Sequence, residues 1–267
     1  MNWWRHVMAM EIRKILAYRS DFWIIFLGQT AVQLVIATAL WKSIFETQGT
    51  IQMNGFTLPM MTLYYLIVPI GMRMLTGENI GFISREIYDG SFNRYLIYPL
   101  SVFQYKAVTY LTYSLFYGVQ LILLFSIYQF TMIDVTPTLM TFVHLFEGVA
   151  LFLISATTYV LMAMLIELLA LWADNIWTLV VMLRFFTSFF GGGFIPLAFF
   201  PLWAREILVF TPFPYLVSLP VRTVMGQSSS IEITLGIVVL LCWSFFFMGC
   251  VTLMWNKGQK NYSGVGI

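Results

Sequence analysis

The chain has 267 residues, of which 60% are hydrophobic and only 10% charged, with a mean hydropathy of +0.84. A soluble domain of this length needs far more charge to cover its surface, so the composition excludes one and places the chain in a membrane. A net charge of +2 is too small to attract nucleic acid, and Cys242 and Cys250, eight positions apart within one apolar stretch, cannot bridge and read as packing residues.

In chain order, residues 3–19 have helical periodicity without spanning character. Trp4, Val7, Met8, Ile12, Ile15 and Tyr18 fall on one side and Arg5, His6 and Arg13 on the other, which predicts an amphipathic helix lying in the membrane interface. Glu11 intrudes on the apolar side, to pair with Lys14 or with a basic residue of a neighbouring element. The charges at Glu11, Arg13, Lys14 and Arg19 argue against a cleaved signal.

Six long apolar stretches follow, at about 22–41, 58–76, 107–130, 146–171, 177–198 and 231–255, each near the ~20 residues that cross ~30 Å of hydrocarbon. Trp23, Trp41, Trp172, Trp177, Trp203 and Trp255 lie where such spans meet headgroups. With the N-terminus inside, Arg5, Arg13, Lys14, Arg19, Arg73, Arg85, Arg94, Lys106, Lys257 and Lys260 are cytoplasmic, and Lys42, Arg205 and Arg222 are outside. That positive-inside bias puts both termini in the cytoplasm.

Two connections are unusual. Residues 76–105 join the second and third spans. Ile80, Ile83 and Ile87 recur at helical spacing with Arg85, Glu86 and Asp89 between them, Asp89-Gly90-Ser91 reads as a turn, and Tyr95-Leu96-Ile97-Tyr98 runs to Pro99. The pattern is a short amphipathic helix, a turn and a second short segment, fitting either an ordinary interfacial loop or a docking element for a cytoplasmic partner. The other connection, 191–223, opens on Gly191-Gly192-Gly193 and carries Pro196, Pro201, Pro212, Pro214 and Pro220 around apolar pieces too short to cross. Glycine and proline interrupt helices, and a broken backbone survives in hydrocarbon only where protein or water covers it, so this segment reads as re-entrant or as a hydrophobic outer loop packed on the bundle.

Catalytic chemistry is hard to find. There is no G-x-x-x-x-G-K-[ST] phosphate cradle and no H-E-x-x-H; His144 and Glu147 are too few ligands for a catalytic metal, and His6 lies at the far end of the topology. The chain does not read as an enzyme. Glu167 and Arg184 fall near the same side of antiparallel spans four and five, where they would pair, either holding the two spans together or standing beside a transport pathway.

The whole order of elements resembles the membrane subunit of ATP-binding-cassette exporters of the type 2 permease family. Glu11-Ile12-Arg13-Lys14 with Tyr18-Arg19-Ser20-Asp21 resembles that family's connecting helix. The run Ile87-Tyr88-Asp89-Gly90-Ser91-Phe92-Asn93-Arg94-Tyr95-Leu96-Ile97-Tyr98-Pro99-Leu100-Ser101 resembles its I-x-x-G-x-h-x-x-h-L-x-x-P-h-S stretch, and Gly193-Phe194-Ile195-Pro196-Leu197, Phe200-Pro201-Leu202-Trp203 and Pro212-Phe213 resemble the segment before its last span. The resemblance implies an all-α polytopic protein of six transmembrane helices forming a single permease domain over 1–267. It comprises an interfacial helix (1–21), a cytoplasmic coupling helix between spans two and three (77–105) and a re-entrant helical region before span six (191–223).

It also implies a bacterial plasma (inner) membrane location, two separate ATP-binding-cassette ATPase subunits and a second permease chain, identical or paralogous. There would be no cofactor in this chain, ATP and Mg being held by the partner subunits. ATPase contact would fall to Ile83, Arg85, Asp89, Gly90 and Arg94, and an outer gate to Gly191, Gly192, Gly193, Pro196, Pro201, Pro212 and Pro214. The pathway would be lined by spans one, two and five, with Tyr64, Tyr65, Phe185 and Phe189. An independent secondary carrier is the alternative. Neither reading names the cargo.

Overall fold

The structure, a computed structural model, describes residues 3–77, 82–96, 101–131, 141–173 and 175–259. Ile80, the Ile97-Tyr98-Pro99-Leu100 run and Lys260 lie outside the described residues. The described residues are almost wholly helical, as the resemblance implies.

Helix α1 (Trp3–Ala17) turns only Val7, Glu11 and Ile15 inward, one residue per turn, against the later helix α6 (Val102–Thr131). Trp4, Ile12 and Tyr18 stay exposed, so half of the expected apolar side is left for lipid. Glu11, 4% exposed, lies on the protein-facing stripe, with Lys14 Nζ at 3.8 Å.

Helix α2 (Arg19–Gln48) runs for 30 residues, about 45 Å at ~1.5 Å per residue, and ends on Gly49 in the left-handed region. Phe26, Thr30, Ala37, Trp41 and Phe45 form its buried stripe, while Ile24, Leu27, Val32, Val35, Ile36 and Leu40 face out. A two-stranded hairpin follows, β1 (Gln52–Met53) pairing antiparallel with β2 (Phe56–Thr57). Its turn is Asn54-Gly55, both at positive φ (48° and 86°). The helical reading of the chain gave no strand here, although Asn-Gly is a strong short hairpin signal.

Helix α3 (Leu58–Thr76) matches the second predicted span and is buried over most of its length. The connection forms α4 (Phe82–Tyr88), a turn and α5 (Asn93–Leu96), and α6 follows. Helix α7 (Phe142–Glu167) is the second central helix and runs into a 3-10 turn, Leu168–Leu171. Where α3 crosses α7, a Cβ on Gly71 would come within 2.3 Å of the Phe152 ring, so the missing side chain sets how closely these two central helices approach.

Helix α8 (Trp177–Phe190) has 14 residues and stops eight short of the predicted end of the fifth stretch. A second 3-10 turn (Leu197–Phe199), α9 (Leu202–Leu208), α10 (Phe213–Leu216) and α11 (Ser218–Val224) make up the proline-rich segment. Helix α9 and the α10–α11 arm are bent by 79° to each other. The α11 arm is buried against α7, while α9 is exposed at Leu202, Trp203 and Ile207. Helix α12 (Ser230–Gly258) begins with a capping box between Ser229 and Glu232 and closes the bundle.

Among the described residues four helices are long and apolar enough to cross a membrane: α3, α6, α7 with its 3-10 extension, and α12. The bent α9/α10–α11 pair would raise the number to five. The first and fifth predicted stretches, in α2 and α8, are not among the four.

Candidate functional site

Two ends of the bundle carry the features singled out from the sequence. At one end, α4, its turn and α5 form a compact unit. The backbone N–H of Asp89 bonds Arg85 O at 2.9 Å, that of Phe92 bonds Glu86 O at 2.8 Å, and Gly90 takes φ 75° to reverse the chain. Asp89 Oδ1 accepts from the Ser91 hydroxyl (2.6 Å) and N–H (3.0 Å), and these bonds hold its carboxyl below the usual carboxylate range.

The inward face of the unit is Ile83, Ile87, Phe92 and Tyr95. Ile83, expected to meet a partner, is 1% exposed and packs inside this chain. At the centre lies Glu86. Its Oε2 is 3.1 Å from Lys106 Nζ, its Oε1 accepts from the Tyr95 hydroxyl at 2.9 Å, and Arg94 pairs with it from the rim. Burial and the Glu86 charge push the Tyr95 phenol up, so it remains a proton donor at neutral pH.

A second tie is unexpected. Glu167, at the end of α7 and 1% exposed, accepts the Ile83 N–H on Oε2 at 2.9 Å. This amide is one of the orphan donors in the first turn of α4, and a carboxylate there also suits the helix dipole. Phe92 and Phe103 meet Trp255 of α12 at ring separations of 6.0 and 5.1 Å. The unit is thus fastened to α6, α7 and α12, and presents Arg85, Tyr88, Asp89, Ser91 and Asn93 outward, with Arg94 half-exposed and Gly90 half-buried between them.

At the other end the glycine run ends α8. Gly192 has φ 88°, a conformation closed to most side chains, and the Phe194 N–H reaches back to Ser188 O at 3.0 Å. The freed carbonyls are taken by α3: Tyr64 donates its hydroxyl to Gly192 O and Tyr65 to Phe194 O, each at 2.7 Å. Residues proposed separately as pathway lining and gate are therefore brought together, with Tyr64 and Tyr65 buried. Gly191 and Gly193 are buried beside them, and a Cβ on Gly191 would lie 2.2 Å from Thr187 O. Pro196 and Pro201 set extended backbone before the 3-10 turn and α9, Pro212 starts α10, and Pro214 lines the larger cavity.

Two cavities flank this arrangement. One, about 860 Å³, lies between the hairpin, the proline-rich segment and the start of α12, beside the Arg222–Glu232 ion pair (3.2 Å). The other, about 400 Å³, lies between α2, α3 and α8 and is lined by Gln29, Gln33, Arg73, Arg184, Ser188 and Phe194 among others. Phe185 and Phe189 stack at 5.8 Å on α8, Phe185 meets Phe194 at 6.0 Å, and Phe185 is 51% exposed. Arg184, expected to pair with Glu167, lies on the exposed side of α8, whereas Glu167 is buried. Among the described residues no three His, Cys, Asp or Glu side chains gather to hold a metal.

Sequence reasoning missed Glu86, Lys106 and the Glu167–Ile83 bond. The first two carried a signal, an acidic residue on the isoleucine-bearing helix and a lysine just past the connection. The third joins residues 84 positions apart and carried none.

A family model described as ABC-2 family transporter protein matches residues 29–266. No curated protein and no solved structure matches the chain.

Proposed function

We propose, from the premise that this chain belongs to the ABC-2 transporter family, that it is the permease subunit of an ATP-driven exporter. It forms half of the translocation pathway and is moved by ATP-binding subunits that are separate chains. The observation that carries this reading is the α4–turn–α5 unit. It is a small amphipathic surface whose inner side is fastened to three long helices and whose outer side, among the described residues, is polar and exposed. A load applied at Arg85, Tyr88 and Asp89 passes through Glu167 into α7 and through Glu86–Lys106 into α6. Such a strap suits force transmission better than a flexible loop does.

In this reading two ATPase subunits seat on that surface and hold ATP and Mg, for which this chain has no phosphate loop. A second permease chain, identical or paralogous, completes the pathway. The chain crosses a bacterial inner membrane six times, α2 and α8 included, with both termini and the α4–α5 unit in the cytoplasm and the hairpin and the proline-rich segment outside. ATP binding favours one arrangement of the permease pair over another, and hydrolysis resets it. Glu167 and Arg184 add charge attraction near the cytoplasmic ends of α7 and α8, and the Gly191–Gly193 break is the outer gate.

The test is coexpression with the ATP-binding subunits, copurification and reconstitution. Arg85→Ala with Tyr88→Ala removes two exposed side chains outside the buried Glu86–Lys106–Tyr95 cluster, so the subunit should fold while ATPase stimulation and copurification fall together. Retention of both by that double variant would overturn the assignment of this surface.

A further inference from the structure

The larger cavity is walled by three helices, each of which brings it one charged and one apolar side chain three positions apart. Arg205 and Leu208 come from α9, Arg222 and Leu219 from α11, and Glu232 and Leu235 from the start of α12. Residues at that spacing share a helix face, so charge and hydrocarbon meet in one space. The hairpin closes the remaining side with Asn54, Gly55 and Phe56. The volume, about 860 Å³, is in the range of small-molecule sites.

The three charges are not equivalent. Arg222 donates to Glu232 Oε1 (3.3 Å) and Oε2 (3.2 Å) and to the Gln227 carbonyl (3.2 Å), and Glu232 also accepts the Ser229 N–H of the capping box at 3.0 Å. That pair is a staple between α11 and α12. Arg205 is exposed and makes no side-chain hydrogen bond or ion pair with the described residues, and its neighbour Glu206 is not part of the lining. Among the described residues the lining thus sets two cations, Arg205 and Arg222, against one carboxylate, Glu232. The cavity also touches the glycine break. Tyr64, Leu197 and Ser218 line it, and the same three residues enclose Gly192: an added Cβ there would lie 3.0 Å from the Tyr64 hydroxyl, 3.3 Å from Ser218 Cβ and 3.4 Å from Leu197 Cγ.

From this juxtaposition we infer that the cavity is a binding site for a singly charged amphiphile, a carboxylate on an apolar body, and that its ligand braces the Gly191–Gly193 break. Arg205 takes the carboxylate, whose two oxygens match one guanidinium fork. A phosphate dianion would bring more negative charge than the described lining offsets. The apolar body lies on Phe56, Leu208, Leu219 and Leu235 and leaves water. With the space beside Tyr64, Leu197 and Ser218 filled, the shell around Gly192 can no longer relax outward, and the bent backbone is held. The ligand is an effector of the break, and only its consequence for transport depends on the permease reading; binding and bracing do not.

The test uses the purified full-length chain in nanodiscs of dioleoylphosphatidylcholine, with a dodecanoate that carries a diazirine as the probe. Light-driven crosslinks are located by peptide mass spectrometry, and unlabelled dodecanoate, dodecanol and dodecylamine serve as competitors of equal chain length. Crosslinks should concentrate in residues 196–235, and dodecanoate should compete roughly tenfold better than the other two. Arg205→Gln should abolish that preference and Arg205→Lys keep part of it. Leu235→Trp, which fills the apolar part of the space from an exposed position, should remove the crosslinks. Bound dodecanoate should also slow deuterium exchange at the amides of residues 191–194 in the unsubstituted protein and not in Arg205→Gln. Equal competition by dodecanol, or crosslinks unchanged in both Arg205→Gln and Leu235→Trp, would overturn the site. Specific crosslinks with unchanged exchange would overturn the brace.

Discussion

Gly192 shows how much one backbone position can carry. Its φ of 88° is open to glycine and costs other residues about 1–2 kcal/mol, and an added Cβ would lie 3.0 Å from the Tyr64 hydroxyl that bonds its carbonyl. Gly192→Ala should therefore lower the melting temperature of the purified protein by several degrees. Tyr64→Phe, which leaves a buried carbonyl without its donor, should do the same at about 1–3 kcal/mol. Because both changes break one bond, the double variant should lose less than the sum of the two. Gly28→Ala is the control: nothing lies within 4 Å of its added Cβ, so it should be neutral or stabilising. A full sum of losses in the double variant would separate Tyr64 from Gly192. The glycine run was legible in the sequence as a break. That Tyr64 and Tyr65 tie it down was not, because the partners are 128 and 129 residues apart and a tyrosine pair in an apolar helix also fits a pathway wall.

At the scale of elements the α4–α5 unit decides the function proposed here, and its charges read differently in place than in sequence. Isoleucine spacing and Asp89-Gly90-Ser91 revealed the helix and its turn. Spacing alone made Glu86 look like one more polar residue between the isoleucines, yet it is 6% exposed and holds Lys106, Tyr95 and Arg94. Lys106→Met leaves Glu86 Oε2 without its buried cation while Arg94 and Tyr95 still hold Oε1, so it should cost less than the ~3–5 kcal/mol of a wholly unpaired buried charge, and adding Glu86→Gln should recover much of the loss. The Glu167 bond offers a test of coupling itself. Glu167→Ala removes the acceptor at the first turn of α4, so amides of residues 82–96 should exchange with deuterium at least about tenfold faster, the loss of a bond worth ~1.5–3 kcal/mol. ATP hydrolysis in the assembled complex should then run with less transport per ATP. Glu167→Gln, which keeps an acceptor and drops the charge, should fall between. Unchanged exchange in the alanine variant would show that α4 is held without this bond.

For the molecule as a whole the six-span proposal raises the question of how a 14-residue helix would serve as a crossing. At ~1.5 Å per residue α8 covers about 21 Å, short of ~30 Å of hydrocarbon, so under the six-span proposal its glycine end would fall inside the layer. The Tyr64 and Tyr65 hydroxyls take the Gly192 and Phe194 carbonyls, which is how an irregular backbone would persist at that depth. The opposite extreme is α2, whose 30 residues are longer than such a layer and carry Gln29 and Gln33 to the cavity it shares with α3 and α8, lowering its apolar character. Polar groups brought to that cavity make α2 less apolar than α3, α7 and α12, whereas α8 is short because the glycine run ends it. Their crossing is testable with single cysteines in a background lacking Cys242 and Cys250. An impermeant maleimide added outside intact cells should label Gln52→Cys in the hairpin and Glu206→Cys in α9, and should spare Ser91→Cys and Ala173→Cys until the membrane is opened. Labelling of Ala173→Cys from outside, or protection of Glu206→Cys, would mean that α8 turns back without crossing, and with it the placement of the glycine break at the exit would fall.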